Sequence, residues 1–189
     1  MTASNCPHLY LDEECKILAN GTSRKALFLD RDGVINVNHG YVHTAEQTDW
    51  VQGIFELCKT ARDADFNLIV VTNQAGIARG YYDEATFVAY TRWLHQQFRR
   101  KGVPLLATYF CPHHPEAGVG QWQVDCVYRK PNPGMILAAA ERFGLDLSVS
   151  VMVGDMPSDR QAAQFSGVGT YLDVHDAQDG MQRLTSRIR

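Results

Sequence analysis

The sequence predicts a doubly wound α/β fold, with a mainly parallel sheet and helices on both of its faces. Two observations predict this fold: short apolar runs alternate with longer segments of helical period, and this alternation continues over most of the chain, from residue 25 to about residue 172. Strands that alternate with helices are joined by right-handed crossovers, which make neighbouring strands parallel and cover both faces of the sheet.

Five strands are predicted, and each is a short apolar run bounded by polar residues or turn formers. They are Ala26–Asp30, Asn67–Thr72, Leu105–Phe110, Val149–Val153 and Gly169–Leu172. Residues 1–24 show no clear period, so we treat them as an N-terminal extension of uncertain structure. The rest, residues 25–189, is expected to form a single domain.

Helices are predicted between these strands. Segments 53–65 and 83–101 carry their apolar residues on one face, which is typical of a helix packed against a core. A third helix follows the Pro-rich stretch after residue 130 and ends at Gly144. Ser158 and Gln161 have the spacing of a capping box, and this predicts a helix that opens at Ser158.

The composition excludes several classes of protein. A chain of 189 residues with 45% apolar and 21% charged residues is typical of a soluble domain. Its net charge of −3 gives no reason to expect nucleic acid or an anionic membrane as partner. No segment approaches the ~20 apolar residues that span a bilayer. The N-terminus shows no secretion signal, and five cysteines do not make a disulfide scaffold. We expect a monomeric, cytoplasmic protein with reduced thiols.

Polar residues stand where several of the predicted strands end. Asp30, Thr72 and Asp155 lie at or just past the end of a strand, and Lys130 lies at the entrance to the helix after the third strand. In doubly wound folds, ligands bind at the carboxyl ends of the strands. We therefore expect these four residues, which are far apart in the sequence, to converge on one edge of the sheet.

These residue types are those of a phosphoryl-transfer site. Asp30 and Asp155 can hold a hard divalent ion such as Mg²⁺ through oxygen, while Thr72 and Lys130 can neutralise a phosphoryl group. Asp30 is then a candidate nucleophile that forms an aspartyl-phosphate, and Asp32 a candidate general acid and base. Two alternatives stay open. An isolated D-x-D-G also forms Asx turns, and receiver-type regulatory modules phosphorylate a strand-end aspartate too, although Asp32 argues against a long-lived phospho-aspartate.

Four motifs in order carry a family resemblance. They are "LDRDG" at 29–33, "VVTNQ" at 70–74, "RKPNPGM" at 129–135 and "VGDMPSD" at 153–159. This set resembles the haloacid dehalogenase-like (HAD-like) phosphohydrolases. Three longer stretches are similar to the D-glycero-D-manno-heptose 1,7-bisphosphate 7-phosphatases, with histidinol-phosphate phosphatases as near relatives. These stretches are "NVNHGYVH" at 36–43, "TNQAGIARG" at 72–80 and "YFCPHHPE" at 109–116.

The resemblance implies roles for individual residues. Asp30 would be the nucleophile and Asp32 the general acid and base, and Mg²⁺ would be held by Asp30, Asp155 and the backbone carbonyl of Asp32. The sugar-phosphate substrate would be lined by Asn38, His39, Gly40, Tyr41, Thr72, Asn73, Gln74, Ala75, Arg129 and Lys130. His39 has an alternative interpretation as a loop histidine with its own partner. About twenty residues separate the first strand from the first helix, too few for a separate cap domain.

One departure from the family's pattern affects the substrate. The family usually follows the aspartate of its fourth motif with a basic residue that touches substrate, and here that residue is Met156. The reaction type is therefore better defined than the substrate. The candidates are a heptose bisphosphate, histidinol phosphate or another small phosphomonoester.

A second departure affects a loop of cysteine and histidine residues at 111–128. The family's zinc loop reads Cys-x-His and then Cys-x-Cys, whereas this chain has Cys111-Pro-His113 and then Cys126-Val-Tyr128. Three soft ligands with this spacing still favour a structural Zn²⁺, which we expect to be bound more weakly than in a site with four ligands. The candidates for completing the set are Asp125, His114 and a water molecule. Cys6-Pro7-His8 repeats the Cys-Pro-His spacing, but we do not expect it to take part.

Overall fold

A computed structural model of the chain describes residues 8–11 and 23–174. In this part of the chain, six strands form one sheet with the order β1-β4-β3-β2-β5-β6. Neighbouring strands are parallel, except that β1 runs antiparallel to β4. The strands are β1 (His8–Tyr10), β2 (Lys25–Leu29), β3 (Phe66–Asn73), β4 (Ala107–Cys111), β5 (Val151–Gly154) and β6 (Thr170–Asp173).

The five strands expected from the apolar runs are all present, with small shifts at their ends. Asp30 follows β2 rather than ending it, and β4 begins at Ala107 because Leu105 and Leu106 pack into the core before the strand starts. Val149 ends a 3₁₀ turn instead of opening β5. Strand β1 was not expected, since three residues are too few to show a period. It pairs with β4 through His8, which lies opposite Phe110.

Five α-helices connect the strands in the described ranges. They are α1 (Ile54–Asp63), α2 (Ala75–Ala78), α3 (Glu84–Arg100), α4 (Gly134–Phe143) and α5 (Pro157–Ser166). Asp83 caps α3, because its side chain accepts a hydrogen bond of 2.8 Å from the backbone N–H of Thr86. Gly144 ends α4 in the left-handed conformation, as expected. The single turn of α2 was not expected.

The predicted capping box at the start of α5 was wrong. The helix begins at Pro157, whose fixed φ suits the first helical position, so Ser158 lies inside the helix instead of capping it. The residue before the helix is Met156. The backbone N–H groups of Asp155 and Met156 donate instead to the carboxylate of Asp159, over 3.2 and 3.1 Å. Asp159 is fully buried and therefore fixes the chain at the end of β5.

Core residues lie on both faces of the sheet, because successive side chains of a strand point to opposite faces. Leu27 and Leu29 of β2 pack with residues of α1 and α3, whereas Phe28 packs on the other side with residues of α4 and α5. Strands buried on both faces read as continuous apolar runs, and this is why the runs were visible in the sequence. The predicted doubly wound α/β fold is therefore confirmed.

The segment between β2 and α1, residues 30–53, folds over the carboxyl end of the sheet as a loop. It contains isolated bridges that join Asn36 to Asp32 and to Trp50, and no helix. This agrees with the expectation that the fold has no separate cap domain.

No helix in residues 8–11 or 23–174 is long and apolar enough to cross a membrane.

Candidate active site

Asp30 lies at the carboxyl end of the central strand β2. Its backbone N–H donates to the carbonyl of Val153 in the neighbouring strand (3.0 Å), and its Oδ1 accepts a hydrogen bond of 2.7 Å from the N–H of Arg31. The residue is 8% exposed. Burial raises the pKa of the Asp30 carboxyl from 3.8 to about 7, although the ammonium of Lys130 acts in the opposite direction. Burial thus disfavours the charged form of Asp30 more than Lys130 favours it.

Lys130 is buried at the same edge, and its ammonium has three acceptors. The Nζ atom lies 2.9 Å from Asp30 Oδ1, 2.6 Å from Asp159 Oδ1 and 2.9 Å from the carbonyl oxygen of Val71. Burial acts to lower the pKa of Lys130, but the two carboxylates outweigh it and the pKa is raised. The side chain of Asn73 fixes the backbone of Lys130 through two hydrogen bonds of 2.9 and 3.0 Å. Lys130 is therefore a charged, fully paired and rigidly placed group.

Three carboxylates meet at the ends of β2 and β5. Oxygen atoms of Asp30, Asp155 and Asp159 all lie within 4.8 Å of one another. Gly33, at φ +93°, makes room for them, because a Cβ atom at this position would lie 2.1 Å from Asp155 Oδ2. Three oxygen donors with an excess of negative charge suit a hard cation such as Mg²⁺. The structure thus brings together the predicted ligands Asp30 and Asp155 and adds Asp159, the last residue of the motif at 153–159, for which no role was predicted.

The carboxylate of Asp32 lines the same cavity but is not part of this group. It accepts hydrogen bonds of 2.9 and 2.7 Å from one nitrogen of Arg31, and one of 3.0 Å from the side-chain amide of Asn36. The buried guanidinium of Arg31 also donates to the carbonyl of Val42, and it lies against the rings of two aromatic residues of α3, Phe87 and Tyr90. Neither Arg31 nor Asn36 was expected to serve the site. Their place beside Asp32 is set by a loop that no periodic pattern describes.

Thr72 and Gln74 stand where β3 ends and the chain turns into α2. Gln74 Nε2 donates to Thr72 Oγ1 over 2.8 Å and, more weakly, to Asp32 Oδ2 over 3.4 Å. Gln74 Oε1 accepts a hydrogen bond of 2.7 Å from the hydroxyl of Tyr82. The end of β3 is thus connected directly to the end of β2, as the rule for strand ends predicts.

These groups surround a cavity of about 440 Å³. Most of the predicted substrate residues line it, namely Asn38, Gly40, Tyr41, Thr72, Asn73, Gln74, Ala75, Arg129 and Lys130. His39 does not, since its Nε2 lies 2.8 Å from Asp49 Oδ2 on the exposed outer side of the loop. Its alternative interpretation as a partnered loop histidine fits this geometry. Gly76, Tyr82, Ser158 and Asp159 also line the cavity, although no role was predicted for them, and Met156 lines it at the position of the family's basic residue.

Two aromatic residues stand at the edge of the cavity. The rings of Tyr41 and Tyr81 meet edge to face, with centroids 4.6 Å apart, and both are exposed. Met156 also lines the cavity and is 52% exposed, where the family pattern has a basic residue. The exposed residues of the lining thus include Tyr41 and Met156 beside Asn38 and Gly40, whereas Asp30, Thr72 and Lys130 are buried. Buried charged groups beside exposed apolar ones suit a small molecule that carries a phosphate at one end.

The three predicted zinc ligands also meet. Cys111, His113 and Cys126 offer atoms within 4.8 Å of one another, and all three residues are buried. A hydrogen bond from Cys111 is the main reason that the pKa of Cys126 falls to about 5, and the same bond raises the pKa of Cys111. The two thiols therefore share one proton at neutral pH. Two sulfur atoms and an imidazole suit Zn²⁺, which would displace that proton.

The structure shows the contacts of residues that could be the fourth zinc ligand. His114 Nδ1 accepts hydrogen bonds from the backbone N–H groups of Glu116 and Ala117, over 3.2 and 3.0 Å, so this nitrogen is engaged elsewhere. Tyr128, at the position of the family's fourth cysteine, packs against the apolar core on the α4 side of the sheet. Cys6 lies outside the described residues. The ring of His8 lies 5.6 Å from that of His113, but its Nδ1 pairs with Glu84.

Known proteins match both the sequence and the fold. A family model described as HAD-hydrolase-like matches residues 127–177. The D-glycero-α-D-manno-heptose-1,7-bisphosphate 7-phosphatase of Burkholderia mallei is 52% identical over 152 residues, 80% of either chain. The corresponding enzyme for the β anomer from Vibrio cholerae is 46% identical, over 80% of this chain and 82% of its own.

Solved structures give the same result. A HAD-like phosphatase from Mesorhizobium loti matches with a TM-score of 0.80 and 35% identity, over 88% of this chain and 86% of its own. The D,D-heptose 1,7-bisphosphate phosphatase of B. bronchiseptica, in complex with magnesium and phosphate, matches with a TM-score of 0.71 and 33% identity, over 86% of either chain. With this site and these relatives, the chain belongs to the HAD-like D-glycero-D-manno-heptose-1,7-bisphosphate 7-phosphatase family and is a phosphatase.

Proposed function

We propose that this phosphatase removes the 7-phosphate of D-glycero-D-manno-heptose 1,7-bisphosphate through an aspartyl-phosphate at Asp30. The observation that carries the reaction type is the convergence of Asp30, Asp32, Thr72 and Lys130 on one cavity, beside carboxylates suited to Mg²⁺. The 52% identity to an enzyme of that name supports the substrate.

In the first half of the reaction, a carboxylate oxygen of Asp30 attacks phosphorus, and the bond between phosphorus and the sugar oxygen breaks. The leaving oxygen takes a proton from Asp32. In the second half, water attacks the phosphorus of the aspartyl-phosphate and gives a proton to Asp32, and the phosphorus–oxygen bond to Asp30 breaks. Inorganic phosphate leaves and both carboxyl groups return to their starting state.

The other residues hold the phosphoryl group while this happens. Lys130 has an acceptor for each of its N–H bonds already, so it acts through its positive charge and by fixing Asp30. The hydroxyl of Thr72 and the guanidinium of Arg129 face the cavity and can donate to phosphoryl oxygens. Asp30, Asp155 and Asp159 would hold Mg²⁺, with the backbone carbonyl of Asp32 as a further ligand. When bound, the ion neutralises charge that develops on the phosphoryl oxygens.

We further propose that Cys111, His113 and Cys126 hold a structural Zn²⁺. The group is joined to the active site through Arg129, because an N–H of Arg129 donates to the carbonyl of His113 over 2.9 Å. An ion bound there would fix the loop and with it the guanidinium that lines the cavity.

The free cysteines of the described residues, Cys58 among them, support a reducing, cytoplasmic location. We also propose that the protein is a monomer.

The substrate is tested by a phosphate-release screen over both anomers of the heptose bisphosphate, other sugar bisphosphates and histidinol phosphate. We expect the highest kcat/KM with a heptose bisphosphate. Phosphorus NMR should show the signal of the 7-phosphate disappearing while the anomeric phosphate remains. Earlier loss of the anomeric phosphate, or a higher kcat/KM with histidinol phosphate, would refute the proposed substrate and leave the reaction type intact.

A further inference from the structure

Tyr82 lies in none of the motifs that mark the site, yet its hydroxyl ends inside it. The residue is 8% exposed, and its hydroxyl hydrogen-bonds to Gln74 Oε1 over 2.7 Å. The ring is held on two sides. The imidazole of His43 stacks on it with centroids 4.4 Å apart, and the backbone of Gly76 lies so close that a Cβ there would come within 2.3 Å of the ring. Tyr82 is therefore a rigid support for the amide that it contacts.

The chemistry around Gln74 fixes the direction of every hydrogen bond in this chain of contacts. Asp32 already accepts hydrogen bonds from Arg31 and Asn36, so its oxygens act as acceptors here. The amide nitrogen of Gln74 therefore faces Asp32 and Thr72, and the amide oxygen faces Tyr82. Tyr82 must then be the donor. Burial raises its pKa to about 12, so the phenol keeps its proton at any working pH.

The direction of the hydrogen bonds made by Gln74 decides which acceptor the hydroxyl of Thr72 can donate to. Because Thr72 Oγ1 accepts a hydrogen bond of 2.8 Å from Gln74, its own hydrogen is left for an acceptor in the cavity. If the amide turned over, its oxygen would face Thr72 and take that hydrogen. We propose that Tyr82 is a positioning residue, which holds the amide of Gln74 in the orientation that aims the hydroxyl of Thr72 at the phosphoryl group.

This inference rests on the proposed role of Thr72 in binding the phosphoryl group, but it does not depend on the heptose. The test therefore uses a small aryl phosphate. Removing the phenol oxygen in Tyr82→Phe should lower kcat/KM about three- to tenfold, which is the effect of one neutral hydrogen bond. Tyr109→Phe is the matched control, because the hydroxyl of Tyr109 is buried with no hydrogen-bond partner in the described structure, and it should change kcat/KM less than about twofold.

The decisive measurement is the effect of Tyr82→Phe on kcat/KM in two variants of Thr72. Thr72 and Tyr82 are joined through the amide of Gln74, so a loss in kcat/KM that depends on the threonine hydroxyl reports an effect carried by that amide. In Thr72→Ser, which keeps a hydroxyl, Tyr82→Phe should cost the same three- to tenfold. In Thr72→Val, which has none, it should cost less than about twofold. Where turnover of Thr72→Val is too slow to measure, calorimetric affinity for orthovanadate replaces kcat/KM in all of the variants, with the same factors expected.

Three results would overturn the inference. An equal loss in the Thr72→Val background would show that Tyr82 acts on something other than the threonine hydroxyl. A loss seen only with large substrates would show direct contact with the sugar. No loss in Tyr82→Phe would show that the amide keeps its orientation unaided. An error in the proposed aspartyl-phosphate chemistry would appear separately, as an Asp30→Asn variant that still hydrolyses the aryl phosphate.

Discussion

The carboxylate group at the ends of β2 and β5 and the cysteine group at the end of β4 have the same number of ligands, but their charge is balanced differently. Lys130 lies between two of the carboxylates, and its Nζ is within 2.9 Å of both. Cys111 and Cys126 share one proton instead, and the group contains no fourth ligand among the described His, Cys, Asp and Glu residues. One group contains its own cation, and the other depends on a proton or an added ion.

This difference predicts two kinds of metal dependence. A site with its own buried cation should keep its shape when Mg²⁺ is removed, so loss of Mg²⁺ should affect the rate more than the fold. The thiols have no such support, and the protonation of Cys111 and Cys126 must change when Zn²⁺ binds. Zinc should therefore affect the stability of the loop more than the chemical step. Four predictions test this comparison, from the largest effect to the smallest.

The largest effect is expected for Asp30→Asn. An amide cannot attack phosphorus, so the rate of phosphate release should fall by about 10³-fold or more, while the ion pair of Lys130 with Asp159 keeps the fold intact. Phosphate release and circular dichroism measure the two effects. Asp63→Asn, which changes an exposed carboxylate paired with Arg62, is the control and should retain the parent's rate. More than a few per cent of that rate in Asp30→Asn would contradict the nucleophile.

Removal of Mg²⁺ should lower the rate by at least about 100-fold, and excess Ca²⁺ should suppress it. Asp30 and Asp155 would offer oxygen ligands to Mg²⁺, which prefers octahedral surroundings, whereas the larger Ca²⁺ would accept extra ligands and disturb in-line attack. The protein should stay folded in chelator, because the ammonium of Lys130 still offsets part of the carboxylate charge. Equal rates with Ca²⁺ or in chelator would show that the carboxylates serve another purpose.

Tyr128→Cys should tighten zinc binding by at least about tenfold, because a thiolate would complete the tetrahedral set. Competition with a chromogenic chelator measures the affinity, and elemental analysis of protein purified without chelator measures occupancy. Val127→Cys places a thiol one residue away at an exposed position and should leave the affinity unchanged. If the parent protein retains less than about a tenth of an equivalent of zinc, the loop has lost its ion.

The smallest effect concerns the pH dependence of stability in the metal-free protein. The pKa of Asp30 is about 7 in the folded protein, against an ordinary value of 3.8. The folded state therefore binds a proton that the unfolded state has released, and stability is lost as the pH rises from about 4 through 7. The asparagine of Asp30→Asn has no such proton to release. The stability of this variant relative to the parent should therefore be greater at pH 8 than at pH 5, by about 1–3 kcal/mol.

Urea unfolding at the two pH values measures this difference. Asp63→Asn should show none, and addition of Mg²⁺ to the parent should reduce it, because the ion compensates the ionised carboxylate. A relative stability of Asp30→Asn that stays constant between pH 5 and pH 8 would mean that Lys130 already balances Asp30 completely.

The sequence by itself determined the order of strands and helices and the edge at which the site forms. Apolar runs such as residues 26–29 mark strands that are buried on both faces, and parallel strands place the residues after their ends together. Asp30, Thr72 and Lys130 could therefore be assigned to one site without coordinates. The family resemblance added Arg129 and the cysteine loop.

Only the tertiary structure decided which groups pair within that site. Lys130 contacts the carbonyl of Val71 and the carboxylate of Asp159, and Tyr82 donates a hydrogen bond to Gln74. No local sequence pattern predicts these contacts. Periodicity reports which face of an element is buried, and motif spacing reports which residues stand at its end. Partners depend on how side chains from separate elements pack, and a short strand such as β1 becomes stable only through its pairing with β4.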